Sequence, residues 1–246
     1  MFEIKIREGH IYSLRYAGDE LLLPSSGGWK TDDYEGTGWD EMLTTIEECE
    51  MELPGYGRVA FPDHGEAWPR NRRHERFNGR VLPYVFETDV RTEGGELLVR
   101  YTFTNVGPYP MPCFWAMHPA IVGEPERLDE PVRLTQDHPR FGKAGTLARV
   151  GPLLPGETLK YYYDRPIRET RFAAVGRTFR IWVEESDVPM YLGMWENAGG
   201  WREYVNFVPE FSTAGDDSAL RALKINRLPF VEPGQSLRWS IRWAAI

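Results

Sequence analysis

The ten residues Glu96-Leu97-Leu98-Val99-Arg100-Tyr101-Thr102-Phe103-Thr104-Asn105 decide how the chain is read. Leu97, Val99, Tyr101 and Phe103 alternate with Leu98, Arg100, Thr102 and Thr104, a period of two that puts each set on one face of an extended strand. An amphipathic helix would repeat at three and four instead. Working outward, the same alternation returns in Leu237, Trp239, Ile241 and Trp243, spaced by Arg238, Ser240 and Arg242 after the turn-forming Pro233-Gly234. Shorter runs of this kind occupy 2–6, 11–16, 83–90, 132–135, 158–163, 178–184, 190–195 and 204–207. Many short strands separated by Pro and Gly, with hardly any amphipathic helix, predict an all-β chain built as an antiparallel sandwich. No repeat, linker or composition break divides the sequence, so one domain over residues 1–246 is expected.

The formal net charge of −8 argues against nucleic acid as a partner, because that affinity rests on Lys and Arg neutralising phosphates. It argues against anionic membranes in the same way. Residues 1–6 read as a first strand rather than a secretory leader, and no run approaches the ~18 apolar residues of a membrane span. Cys49 and Cys113 lie far apart, without the spacing of a zinc site or the density of a disulfide scaffold, and read as reduced thiols of a cytoplasmic protein. Of His10, His64, His74, His118 and His138, no two stand at metal-binding spacing, so no metal is called for.

Three segments carry candidate chemistry. In Pro112-Cys113-Phe114-Trp115-Ala116-Met117-His118-Pro119-Ala120, a histidine ends an apolar run and the following proline stops the strand. An imidazole there can be tuned for general acid or base work; the alternative is a core histidine bonded to backbone. Within 24–80, the longest stretch without alternation and the expected functional loop, lies Asp63-His64-Gly65-Glu66-Ala67-Trp68. His64 could donate to a ligand hydroxyl, Trp68 could stack on a sugar, and Gly65 would let backbone approach the ligand; a plain turn is the alternative. Third, Glu210 follows a strand between Pro209 and Phe211, a setting expected to desolvate the carboxylate and raise its pKa toward general-base use. The acidic run Asp40, Glu41, Glu47, Glu48 and Glu50 reads mainly as solvated surface, with paired glycosidase carboxylates as the other option. Arg70, Arg72, Arg73, His74 and Arg76 form a basic cluster that reads first as a solvated loop, with Arg72 and Arg73 meeting a sugar phosphate as the other option.

Taken in order, these segments resemble the aldose 1-epimerase (galactose mutarotase-like) family in its shorter bacterial branch. The resemblance rests on Asp63-His64-Gly65-Glu66 with Trp68, on 97–105 followed by His118-Pro119-Ala120, and on Gly193-Met194-Trp195 through Pro209-Glu210, Asp216-Asp217-Ser218 and 228–234. It implies a large antiparallel β-sandwich of supersandwich type with His118 as general acid, Glu210 as general base, and His64, Trp68 and Trp195 binding the sugar. The base takes the proton of the anomeric hydroxyl while the acid protonates the ring oxygen; the ring opens, the aldehyde turns and the ring recloses, with no cofactor. Lys30 or Arg58 would stand in for the family's arginine, and Asp164 for its aspartate. His64, His118 and Glu210 should then converge on one pocket, with His118 and Glu210 on opposite sides of a ring-sized space. The partner expected is a small-molecule sugar, free or phosphorylated, bound by a monomer or homodimer. A non-catalytic carbohydrate-binding protein on the same fold and a glycoside hydrolase are the competing functions.

Overall fold

Residues 1–7, 10–25, 35–67 and 76–246 are described by the computed structural model. The chain begins with β1 (Phe2–Arg7), β2 (His10–Tyr16), β3 (Asp19–Glu20), β4 (Trp39–Leu43), β5 (Cys49–Leu53), β6 (Gly57–Phe61) and β7 (Arg76–Asn78). It continues through β8 (Tyr84–Glu93), β9 (Glu96–Asn105), β10 (Met111–Pro112), β11 (Trp115–Pro119), β12 (Glu124–Pro125), β13 (Val132–Leu134) and β14 (Leu147–Ala148). Then come β15 (Thr158–Tyr163), β16 (Glu169–Ala174), β17 (Arg177–Ser186), β18 (Tyr191–Ala198) and β19 (Val205–Ser212). The short helix α1 (Ala219–Lys224), β20 (Phe230–Val231) and β21 (Ser236–Ala245) complete it.

The stretch that decided the fold is β9. It forms a hairpin with β8 around Gly94-Gly95, whose φ angles of 59° and 89° suit the two-residue turn that matches strand twist. A seven-stranded antiparallel sheet runs β12-β16-β17-β21-β9-β8-β7. A ten-stranded sheet runs β1-β2-β4-β11-β19-β18-β15-β13-β14, with β3 on β2. The two sheets meet through aromatic side chains. Trp39 of the large sheet packs on Trp243 of the other at 5.0 Å between ring centroids, and Trp115 packs on Trp239 at 5.0 Å and Tyr101 at 4.5 Å. The structure is thus an antiparallel β-sandwich, with helix confined to α1 among the described residues.

Two expectations are corrected. The stretch 24–80 is not one long loop: its described residues carry β4, β5, β6 and β7. All five residues of β4, Trp39-Asp40-Glu41-Met42-Leu43, are buried, so neither face advertises itself by alternation. Nor are Asp40 and Glu41 surface residues. Glu41 lies in the core between the sheets, accepting hydrogen bonds from Tyr101 Oη at 3.1 Å and Trp115 Nε1 at 2.6 Å. Asp40, on the other face of β4, is bound to buried His10. Cys49 and Cys113 are both free thiols, and among the described residues no helix is long and apolar enough to cross a membrane.

Candidate functional site

The ten-stranded sheet lines up polar side chains on the face away from the aromatic core. β11 and β19 pair antiparallel at Ala116 and Ser212, so two residues along each strand His118 and Glu210 stand side by side. On the far side of β11, Asp40 is opposite His118; on the far side of β19, Gly193 is opposite Glu210 and Tyr162 opposite Gly193. One row therefore crosses five strands as Asp40, His118, Glu210, Gly193 and Tyr162. Gly193 is what lets the row exist. A Cβ there would lie 2.7 Å from Tyr162 Cζ and 2.9 Å from Glu210 Oε2, so the carboxylate occupies the space a side chain would need.

Lys160, two residues before Tyr162 on β15, reaches back to this row. Its ammonium is hydrogen-bonded to Glu210 Oε2 and lies 3.2 Å from Asp217 Oδ1. Tyr162 Oη donates to Glu210 Oε2 at 3.5 Å, and His118 Nε2 is 3.2 Å from Glu210 Oε1. Asp217 is delivered by the turn between β19 and α1: its carbonyl accepts from Ile46 N and Glu47 N at 2.9 and 3.0 Å, while Asp216 holds Ser218 N and Arg221. Ile46 also fixes His64, whose N–H donates to the Ile46 carbonyl. His64 is itself left-handed at φ 55°, with Gly65 following at φ 73°. The role expected of Gly65 is corrected here: it makes a close approach, but to protein, since a Cβ would lie 2.0 Å from the Leu43 carbonyl oxygen of β4. Glu66 completes the docking by accepting from Arg80 N, Val81 N and Tyr84 Oη.

His118, Lys160, Asp217 and His64 line a cavity of about 430 Å³, within the range of small-molecule sites, and Glu210 lies buried behind His118 and Lys160 rather than at its surface. Among the described residues His64, His118, Lys160 and Asp217 line one part of it, and Trp195, Trp201 and Asn206 another. His64 meets His118 edge to face at 6.3 Å. Trp195 and Trp201 meet edge to face at 6.4 Å, and Asn197 pins the Trp201 backbone at both N and O. The structure thus brings together His118, Glu210, His64 and Trp195. Trp68, Arg72, Arg73 and Lys30 lie outside the described residues. Arg58 is not part of the lining: it is exposed and paired with Glu50 on the β5–β6 hairpin. Asp164 also lies elsewhere, held by Arg133 and Arg227.

Two further expectations fail. His118 and Glu210 are not separated by a ring-sized space; they are in contact, because neighbouring strands place them as a cross-strand pair. Nor is the Glu210 pKa raised. Burial pushes it up, but the Lys160 and His118 charges outweigh burial and bring it down to about 2. For His118 burial prevails over the carboxylate beside it, and its pKa falls below the ordinary imidazole value. Asp217 moves the other way, up to about 6, because burial combines with repulsion from Glu210 and Asp216 against the pull of Lys160. Lys160 resists burial through its two carboxylates and stays protonated, its pKa raised. Lys160, Trp201 and Asn206 were not singled out from sequence, and Asp217 entered only within the Asp216-Asp217-Ser218 stretch, with no role assigned to it. The available signal for Lys160 was a lone cation inside Leu159-Lys160-Tyr161-Tyr162-Tyr163, where alternation would otherwise have given a wholly apolar strand.

No protein-family model matches the sequence, and no curated protein matches it. Solved structures do match in fold. The Slr1438 protein of Synechocystis sp. PCC 6803 superposes with a TM-score of 0.74 at 13% identity, over 97% of this chain and 89% of that one. A putative aldose 1-epimerase of Escherichia coli K12 gives 0.67 at 13% identity, over 97% and 93%. A galactose mutarotase-like protein of Lactobacillus casei gives 0.66 at 15% identity, over 100% and 96%. The fold is the large antiparallel sandwich of the galactose mutarotase-like proteins.

Proposed function

We propose that this protein is an aldose 1-epimerase-like catalyst that interconverts sugar anomers, with His118 as acid and Glu210 as base. The observation that carries the reading is the contact between His118 Nε2 and Glu210 Oε1 beside a sugar-sized cavity. The ring oxygen and the anomeric hydroxyl are both attached to the anomeric carbon. An acid and a base serving them belong side by side, and a cross-strand pair supplies that spacing. Glu210, ionised at neutral pH, takes the hydroxyl proton; protonated His118 gives one to the ring oxygen, and the two exchange roles on closure. His64 and Asn206 offer hydrogen bonds to sugar hydroxyls, while Trp195 offers an apolar face. The fold shared with a putative aldose 1-epimerase and a galactose mutarotase-like protein agrees with this reading.

The deciding measurement is anomer exchange followed by NMR saturation transfer with glucose, galactose and glucose 6-phosphate. Acceleration over buffer that falls about 10²–10⁴-fold in His118→Ala supports the reading; an exchange rate equal to buffer for every sugar refutes it. Comparison of glucose with its 6-phosphate, repeated in Arg72→Ala with Arg73→Ala, tests the phosphorylated substrate. A second reading, sugar binding without turnover, is favoured by one observation: Glu210 is fully buried and tied to Lys160. Saturable sugar binding with no exchange distinguishes it. Of the acidic run named for a hydrolase, Glu41 is bonded within the core, Asp40 to His10 and Glu50 to Arg58, while Glu47, paired with Arg221, is at the cavity; release of aglycone from a glycoside panel would support that reading.

A further inference from the structure

Lys160 is a buried cation that the acid–base scheme does not use. It lies at the cavity wall, 6% exposed, between two carboxylates that are themselves buried. The groups facing Glu210 can be named from each side. His118 comes from β11, with Asp40 of β4 beyond it; Lys160 and Tyr162 come from β15; Asp217 and Asp216 come from the turn before α1; and His64 faces His118 from the Asp63-His64 turn. Lys160 alone among these described groups carries a fixed positive charge. It sits on the far side of Glu210 from His118, so it attracts the carboxylate and repels a proton on the imidazole.

We propose that Lys160 is the positioning residue of the site: by dividing its ammonium between Glu210 and Asp217, it sets how tightly the His118–Glu210 pair holds its exchangeable proton. The proposal deepens the epimerase reading and rests on it. Asp217 is then a competitor for the cation. Its buried Oδ1 lies 3.2 Å from the ammonium, and the Tyr162 hydroxyl is a second neighbour of this carboxylate. Loss of the Lys160 charge should raise the proton affinity of both Glu210 and His118. Loss of the Asp217 charge, which leaves the whole ammonium to Glu210, should not raise that of Glu210. A side chain that merely filled space would not act with this sign pattern.

The test is a pH titration of the full chain without sugar, following the His118 ring proton and the Glu210 carboxyl carbon by NMR. Wild type, Lys160→Met, Lys160→Arg and Asp217→Asn are compared. Lys160→Met is expected to raise both midpoints by about 1–3 units, Lys160→Arg to keep them near wild type, and Asp217→Asn to leave the Glu210 midpoint at or below wild type. Unmoved midpoints in Lys160→Met, or a Glu210 midpoint raised in Asp217→Asn, overturn the proposal. If Lys160→Met does not fold, Lys160→Gln takes its place with the same expected rise, and unmoved midpoints there overturn the proposal. The sugar-free titration needs no turnover, so its outcome is independent of the exchange assay, which alone decides whether the protein is an epimerase. In that assay both limbs of the pH–rate profile should move to higher pH in Lys160→Met.

Discussion

At His118 the protein places an imidazole whose burial disfavours charge next to a carboxylate that favours it, and burial prevails. The form needed for ring opening carries a protonated His118 and an ionised Glu210. It dominates only between the two pKa values, one near 2 and the other below the ordinary imidazole value. Anomer exchange should therefore peak on the acid side of neutrality, and a pH–rate profile of kcat/KM measured across acid and neutral pH checks this; a basic limb at or above neutrality would contradict it. Glu210→Gln should remove the acid limb along with most of the rate. His118 was legible in the sequence because a strand-ending proline exposed its position. The proton affinity of Glu210 was not, because the flanking Pro209 and Phe211 report desolvation, whereas the deciding charge sits on Lys160, 50 residues away in sequence and adjacent only once β15, β18 and β19 are paired. Electrostatics of this kind is set by register.

At the scale of elements, β18 is the spacer of the site. Its Gly193 leaves room in which the Glu210 carboxylate and the Tyr162 ring meet. Gly193→Ala should cost about 1–3 kcal/mol by overpacking, read as a lower urea midpoint. It should also displace the carboxylate, and a misplacement near 1 Å is enough to cost about 10²-fold in exchange. His118→Ala, by contrast, should lose exchange with a smaller change in urea midpoint, so the two variants separate geometry from chemistry. Strands with one face on the core and the other toward solvent, such as β9, β17 and β21, were legible from alternation alone. β4 was not, because both of its faces are covered and Asp40 and Glu41 interrupt the apolar pattern for local reasons. The strands that bring Lys160, Gly193 and Glu210 together are readable at 158–163, 190–195 and 204–207; what the sequence does not disclose is which of them pair.

At the scale of the whole molecule, the same charges tie stability to pH. Glu210 is held below its ordinary 4.5, so the stability it contributes is complete above that value and is lost as pH falls toward about 2. His118, also lowered, contributes above its ordinary 6.5 and loses that contribution as pH falls through its folded value. Asp217 has the opposite sign: with its pKa raised, its contribution is complete below 3.8 and is lost as pH rises through about 6. Urea midpoints measured from pH 7 to pH 2 should therefore fall on the acid side. The fall between pH 4.5 and pH 2 should be shallower in Glu210→Gln, and equal slopes would show that Glu210 is not the linked group. The two sheets carry another consequence in their connectivity. β21 lies in the middle of the seven-stranded sheet, between β17 and β9, although β9, β16 and β17 precede it along the chain. On the ribosome, the hairpins β8–β9 and β16–β17 emerge as two separate half-sheets with open edges. They are joined only when Trp239, Ile241 and Trp243 arrive. Until then the growing chain exposes unpaired strand edges and half of its aromatic core, so this protein should depend on holding chaperones during synthesis more than a sandwich closed from its first strands.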